Sequence, residues 1–514
     1  MRHPHTLFGV LCIAVAGGWA YHASLGVPFL FDDERAIVAD PPARHLRPAG
    51  QGPDAPVGDT TVAARPLLRF SFALNDALGG LDVHGYHLVN LLIHLCAALS
   101  LFGIVRRTLR LPSLRGRHAR AAPWLALAAA LLWVVHPLNT QAVIYLSQRA
   151  ESLAALWMLL TLYAGLRAWS SPHPHRWEGV SVLACAAGMA TKEIAAAAPL
   201  LVVLYDRTFI GGAAREWWLR RRGYYAALGT TWLLLAALLV ASPRLQSTGL
   251  ANPSLPDPFH YALTQGGVIL HYLRLSVWPH PLAFDYGWPV ASWQPRAAAA
   301  ALAVIGLAGS TCWAVRRRHP LGFLGAWVFL ILAPTSSLLP IKDVAFEHRM
   351  YAPLMALVTL GVLGAWALLR RLPSPAQQRG AALALLVPLT LGLGLATLAR
   401  TQAYASPLAL WRDTVATRPA NARAHNNLGA ALARAGQLEA AAAHFRRSLA
   451  LDPAQADAHY NLAQLYLRQG RAAEAVPHLQ QAVRLRPHDW EAFRQLRQAE
   501  GRGGAPDRFV QGTD

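Results

Sequence analysis

The sequence predicts an all-α protein in two parts: a polytopic transmembrane helical bundle, with about eleven spans, then a short α-solenoid. Three observations predict it. Hydrophobic residues make up 54 % of the 514 and charged residues only 14 %, against roughly 25 % charged in soluble domains. Arginines gather in short runs between long apolar stretches. The last hundred or so residues lose that apolar character and repeat with a fixed period. The first observation excludes a disordered chain and argues against a wholly soluble enzyme. The second reads the formal charge of +20 as membrane topology rather than as a nucleic-acid surface, so no nucleic-acid partner is expected. Cys12, Cys96, Cys185 and Cys312 lie in apolar runs at spacings that fit no zinc motif, and read as small core residues.

The apolar runs give the topology in order. The first, 7–26, follows Arg2 and ends without an Ala-x-Ala cleavage site, so it reads as a span rather than a signal peptide. Residues 27–83 are polar and rich in Pro and Gly, an external loop within which 66–78 suits an interfacial helix. Further runs fall at 86–105, 124–135 and 153–169, with Arg106, Arg107, Arg110, Arg115, Arg117 and Arg120 making one cytoplasmic loop. Residues 179–190 and 194–205 read as a short hairpin turning at Thr191-Lys192-Glu193. Each arm is short for roughly 30 Å of hydrocarbon. Runs at 224–241, 297–315, 321–334, 351–369 and 381–398 complete the bundle, and 266–277 is expected to be re-entrant or interfacial. Loop charge puts the N-terminus inside and the C-terminus outside. This means a multi-pass membrane protein, its external loops and tail outside the cytoplasm.

The domain plan is 1–400 for the membrane part, 401–500 for the solenoid and 501–514 for a disordered tail. Pro419, Pro453 and Pro487 are 34 apart, as are Gly436 and Gly470, and Leu428, Leu462 and Leu496. Two full repeats align, 420–453 and 454–487, sharing Asn-Leu at 427–428 and 461–462 and Ala441/Ala475 at the helix contact. Trp411 falls in register with Phe445 and Leu479, and Phe493 with His459, giving a half-repeat at each end. The pattern resembles the tetratricopeptide repeat, a helix-turn-helix stacked into a solenoid. Such stacks are binding surfaces, most often for peptides, with a spacer or dimerisation element as the plainer reading.

Ionisable residues cluster at the expected outer ends of the spans, where polarity is costly. Asp32, Asp33 and Glu34 follow the first span; three adjacent acids repel, so one carboxyl should titrate high and suit a general base. A solvated acidic loop is the plainer alternative. A second cluster runs through Arg65, His84, His87 and His94; with no acid at matching spacing, hydrogen bonding is expected there rather than a metal. His136-Pro137 opens a third, followed by Arg149 and Glu151; Lys192-Glu193 is the fourth; Lys342-Asp343 and Glu347-His348-Arg349 form the fifth. Lys192 and Lys342 are the only two lysines among 47 basic residues. Arg149, Lys192 and Arg349 each have an acid close in sequence, Glu151, Glu193 and Glu347. They read either as structural ion pairs or as an anion site suited to a lipid-borne phosphate.

These motifs, in this order, resemble the transmembrane and tetratricopeptide-repeat protein O-mannosyltransferases. Phe-Asp-Asp-x-x-Ala-Ile at 31–37, Arg65-Pro66-Leu67, Leu-Asp-x-x-Gly-Tyr-His-Leu-Val-Asn at 81–90, and His-Pro-x-x-Thr-x-Ala-Val at 136–143 carry the likeness. So do Arg-Ala-Glu at 149–151, Lys-Glu at 192–193, Phe284-Asp285-Tyr286, and Glu-His-Arg-Met-Tyr-x-Pro at 347–353, where His348 looks inserted. The resemblance implies a C-type (GT-C) glycosyltransferase fold and inverting transfer of a mannose-like sugar from a polyprenyl-phosphate donor. The acceptor would be a hydroxyl, Ser or Thr of exported proteins bound by the repeats. Asp32 or Asp33 would be the base. Arg149, Lys192 and Arg349 would hold the phosphate. Arg65 and His87 are further candidates, with His136, Glu151, Glu193 and Glu347 around them. No metal or other cofactor is assigned. The alternatives are transfer to a glycolipid or surface polysaccharide, an oligosaccharide ligase, and a membrane-anchored repeat scaffold without catalysis.

Overall fold

The computed structural model describes residues 4–39, 65–114, 119–211, 214–241 and 255–501. Arg2, Arg115, Arg117 and the tail beyond 501 lie outside the described residues. Among the described residues every regular element is helical. The chain forms two compact units, Met1–Leu282 with Pro289–Ser406, and Ala283–Trp288 with Pro407–Asp514.

The first unit contains α1 (Pro4–Tyr21), α2 (Pro66–Gly79), α3 (Val83–Thr108), α4 (Ala122–Val134), the short α5 (Thr140–Ile144), α6 (Arg149–Ala168) and α7 (Pro174–Met189). It continues with α8 (Ala197–Tyr205), α9 (Ala214–Val240), α10 (Pro258–Val277), α11 (Pro295–Arg316), α12 (Pro320–Leu332), α13 (Pro353–Leu369) and α14 (Pro375–Thr401). Proline opens many of these helices, including α2, α7 and α10 to α14. A first-turn amide has no partner within the helix, so proline loses nothing there. Asp82 caps α3 by accepting from the His84 amide, and Ser374 and Gln377 form a capping box on α14.

Among the described residues, five helices are long and apolar enough to cross a membrane: His5–Ser24, Val83–Thr108, Arg221–Val240, Pro295–Arg316 and Pro375–Tyr404. Ala122–Val134 and Pro137–Ile144, bent by 55°, would make a sixth. Pro320–Leu332 and Pro353–Leu369 are apolar but shorter. Other apolar helices fall short of the hydrocarbon layer on their own: the 13 residues of α4 rise only about 20 Å. The stretch 266–277, expected to be re-entrant or interfacial, lies within the continuous helix α10.

Buried polar groups hold the helices together. His94 on α3 bonds the Val134 carbonyl at 2.9 Å and the Tyr351 hydroxyl at 2.8 Å. Trp133 donates to the Tyr351 carbonyl at 3.0 Å, and Thr397 to the Val135 carbonyl at 2.7 Å. Asp206, fully buried, accepts from Arg221 and Tyr225.

The second unit holds α15 (Pro407–Thr417), α16 (Ala422–Arg434), α17 (Leu438–Leu451), α18 (Ala456–Arg468), α19 (Ala472–Leu485) and α20 (Trp490–Ala499). Trp411, Phe445 and Leu479 are all buried. Gly436 and Gly470, at φ 77° and 73°, turn one helix into the next. The hexapeptide Ala283–Trp288 belongs to this unit. Asp285 pairs with Arg423 at 2.5 Å and its carbonyl accepts from Asn421 at 3.1 Å. Phe284 meets Trp411 edge-on at 5.5 Å, and Arg418 lies over the Tyr286 ring. Burial opposes ionisation of Asp285, but Arg423 and the hydrogen bonds outweigh it and hold the carboxyl below its usual range.

Candidate active site

The acidic loop leaves α1 through Phe31, whose φ of 51° is strained for a bulky residue. Asp32 and Asp33 follow, and 34–38 make one π-helical turn, a form frequent at functional sites. Ala36 and Ile37 pack with Leu68, Phe72, Tyr86, Leu146 and Ala150, fixing the loop against α2, α3 and the start of α6.

The two acids divide. Asp33 is 1 % exposed. One of its oxygens accepts from both the amide and hydroxyl of Ser147, the other from the Leu30 amide at 3.1 Å. Asp32 is half-buried, with its amide donating to the Tyr145 hydroxyl at 3.2 Å. Burial pushes the Asp33 carboxyl up to about 7 against its three hydrogen bonds, with Asp32 adding the smallest effect. The high titration expected from repulsion among neighbouring acids therefore has another cause: desolvation leads and repulsion is minor.

The cations do not pair with their neighbours in sequence. Lys192 reaches Glu151 at 2.6 Å, and Arg65 reaches Glu193 at 3.1 Å. Arg65 is 7 % exposed, yet its Nε and second terminal nitrogen have no hydrogen-bond partner. Burial depresses Lys192, with Glu151 opposing. His348 accepts this field: burial first, then Lys192, Arg349 and Arg65, push its imidazole well below the ordinary range. Its amide and Nδ1 meet Gln141 Oε1 at 2.9 and 3.1 Å. Arg65, Lys192, His348 and Arg349 thus share one electrostatic neighbourhood.

Arg149 has a different environment. It is fully buried and donates to Asn90 at 2.6 Å, Asn75 at 2.7 Å and the Tyr86 carbonyl at 2.9 Å, with Ser71 beyond. Its guanidinium covers Phe72 at 4.4 Å. Arg349 donates to the carbonyls of Thr335, Asp343 and Val344. Both guanidinium groups organise loops. His136 uses Nδ1 to accept from the Leu138 amide and Nε2 to meet the Ser276 carbonyl, which fixes the turn after α4. His87 donates to the Val27 carbonyl at 2.8 Å and its Nδ1 is buried without a partner. Glu347 is buried on the turn Glu347–Met350. Lys342, the second lysine, is exposed. Sequence reasoning missed Ser147 and Tyr145 as partners of the acidic loop; neither carries a signal beyond being polar in an apolar stretch.

A polytopic helical protein with a buried acid–cation site and a C-terminal helical-repeat array is the class defined by this fold and site. Tetratricopeptide-repeat models match residues 391–456 and 432–499. The chain is 31 % identical over 316 residues to protein O-mannosyl-transferase Tmtc2 of Drosophila melanogaster, covering 57 % of this chain and 32 % of that protein. It is 26 % identical to human protein O-mannosyl-transferase TMTC4, covering 80 % of this chain and 62 % of that one. The chain is thus similar to these two O-mannosyl-transferases and spans about a third of the first and about three-fifths of the second. The crystal structure of ArnT from Cupriavidus metallidurans bound to undecaprenyl phosphate aligns over 92 % of this chain and 80 % of ArnT, with a TM-score of 0.41 and 18 % identity.

Proposed function

We propose that the chain is an integral-membrane glycosyltransferase of the C type, moving a mannose-like sugar from a polyprenyl-phosphate donor to a hydroxyl acceptor at the outer membrane face. The carrying observation is the division of labour in the acidic loop: Asp33 is consumed by three hydrogen bonds while Asp32 stays half-exposed. Asp32 takes the proton of the acceptor hydroxyl as its oxygen attacks the anomeric carbon. The bond from that carbon to the phosphate oxygen breaks, and the lipid phosphate leaves from the opposite face, which inverts the centre. Arg65 and Lys192 receive the phosphate charge, because the open nitrogens of Arg65 suit a planar fork on phosphate oxygens. Asp33 and Ser147 position the loop. The acceptor is a Ser- or Thr-bearing polypeptide held by the repeats, in keeping with the names of the relatives. The protein resides in the bacterial cytoplasmic membrane, with the repeats outside.

The test is transfer by purified protein in detergent, with polyprenyl-phosphate mannose and polyprenyl-phosphate glucose as donors and mixed Ser/Thr peptides as acceptors. Asp32→Asn should remove transfer while leaving Tm unchanged. Because side chains rather than a metal are assigned the phosphate, a chelator should leave the rate unchanged. Full activity of Asp32→Asn would overturn the assignment of the base, and transfer lost on chelation would overturn the metal-free reading.

A further inference from the structure

The two full repeats carry the same histidine pair in the same register. His425 on α16 faces His444 on α17, Nδ1 to Nδ1, at 2.9 Å. Thirty-four residues on in each case, His459 on α18 faces His478 on α19 at 3.0 Å. In both, the first histidine's Nε2 meets a proline carbonyl at 3.1 Å, Pro419 or Pro453. A carbonyl only accepts, so that Nε2 carries the proton and the facing Nδ1 of a neutral ring is a bare acceptor. Its partner must donate from Nδ1.

Ring geometry separates a hydrogen bond from a shared metal ion. The centroids stand 5.2 and 5.3 Å apart, which is the N···N distance plus the two ring radii. The rings meet head to head, each lone-pair direction aimed at the opposite nitrogen. Two nitrogens chelating one ion would converge on a point beside that line. Each pair is therefore a bond holding one proton.

Protons then add in a fixed order. The first goes to Nε2 of His444 or His478 and leaves the bond intact. The second has only the accepting Nδ1, and places two N–H groups against each other. The neighbouring charges do not offset this. Arg447 acts on His425 and Arg446 on His478, both cations, and the Tyr466 ring lies tilted 6.0 Å from His478. The carboxylates of Asp457 and Glu474 are held by Arg486 and Arg471. Burial keeps His425, His444 and His478 below the ordinary imidazole range. By linkage, the stability they contribute is present above the unfolded imidazole value and is lost as pH falls through the folded one.

We propose that these two histidine pairs are acid-released latches between the paired helices of each repeat, so that the solenoid loosens in acid and closes at neutral pH. This stands apart from the glycosyltransferase reading and needs no substrate to test. Hydrogen exchange would be followed on the full chain in detergent at about pH 7.5 and about pH 5, corrected for intrinsic rates, with α20 as a control carrying no pair. Protection over α16–α19 should fall by about tenfold in acid, roughly one pKa unit of differential proton uptake. In His444→Gln/His478→Gln the amide donates at neutral pH and can rotate to accept in acid, so the fall should shrink to under about twofold. The single variant His478→Gln should protect the second repeat alone, which separates latching from general instability. Unchanged wild-type protection in acid, or equal loss in the glutamine variants, would overturn the proposal.

Discussion

The site and the repeats bury polar groups by opposite strategies. In the repeats the partners are close in sequence and recur: His425 with His444, then His459 with His478, each 19 residues apart. In the membrane unit they are distant and unrepeated: Asp33 with Ser147 across 114 residues, Arg65 with Glu193 across 128, His94 with Tyr351 across 257. A periodic local contact can fail in one repeat and persist in the next. A buried long-range contact has no second copy, so losing one partner strands the other in a medium where an unpaired polar group is expensive. The difference predicts graded sensitivity.

The largest effect should come from Arg149→Met. It strands the carbonyl oxygens of Asn90, Asn75 and Tyr86, which Arg149 satisfies, at about 3–5 kcal/mol. Little folded protein should be recovered, and fluorescence-detected size exclusion would measure it. Arg149→Lys should rescue little, since one ammonium cannot replace the planar fork. A well-folded Arg149→Met variant would break the contrast between the regions.

Next come the two acids. Asp32→Asn should lower transfer by about a hundredfold or more with Tm unchanged. Asp33→Asn should also change stability, in a pH-dependent way. The folded carboxyl at about 7 lies above the ordinary value of roughly 4. Its stabilisation is thus complete below the unfolded value and lost as pH rises through the folded one. The Tm difference between wild type and Asp33→Asn should therefore move in the variant's favour from about pH 5 to about pH 8. A pH-independent difference would contradict burial as the cause.

A smaller effect is expected from Gly287→Ala. Gly287 has φ 49°, and an added Cβ would stand 2.5 Å from Asn421. A cost of about 2 kcal/mol should appear as faster hydrogen exchange over α15 and α16. The smallest is Gly436→Ala or Gly470→Ala. Each glycine has positive φ but open space around it, so only backbone strain of about 1 kcal/mol applies. Each substitution should lower the apparent Tm of the solenoid by a few degrees, measured by circular dichroism at 222 nm. Equal effects at Gly287 and Gly436 would erase the distinction between a crowded and an open turn.

The sequence by itself determined what is local or periodic. Apolar runs and prolines mark helices, because a helix boundary depends on a few adjacent residues. The 34-residue spacing marks the repeats, and Asp32, Asp33, Arg65 and Lys192 were visible as costly groups near membrane ends. Tertiary structure alone decided which acid is buried, that Lys192 pairs with Glu151 rather than Glu193, and that Arg149 and Arg349 are spent on amides and carbonyls. It also decided that Ala283–Trp288 folds with the repeats. Each of these depends on which distant group arrives to satisfy a buried charge, and charge pairing in a low-dielectric interior follows distance in space, on which sequence neighbours have no prior claim.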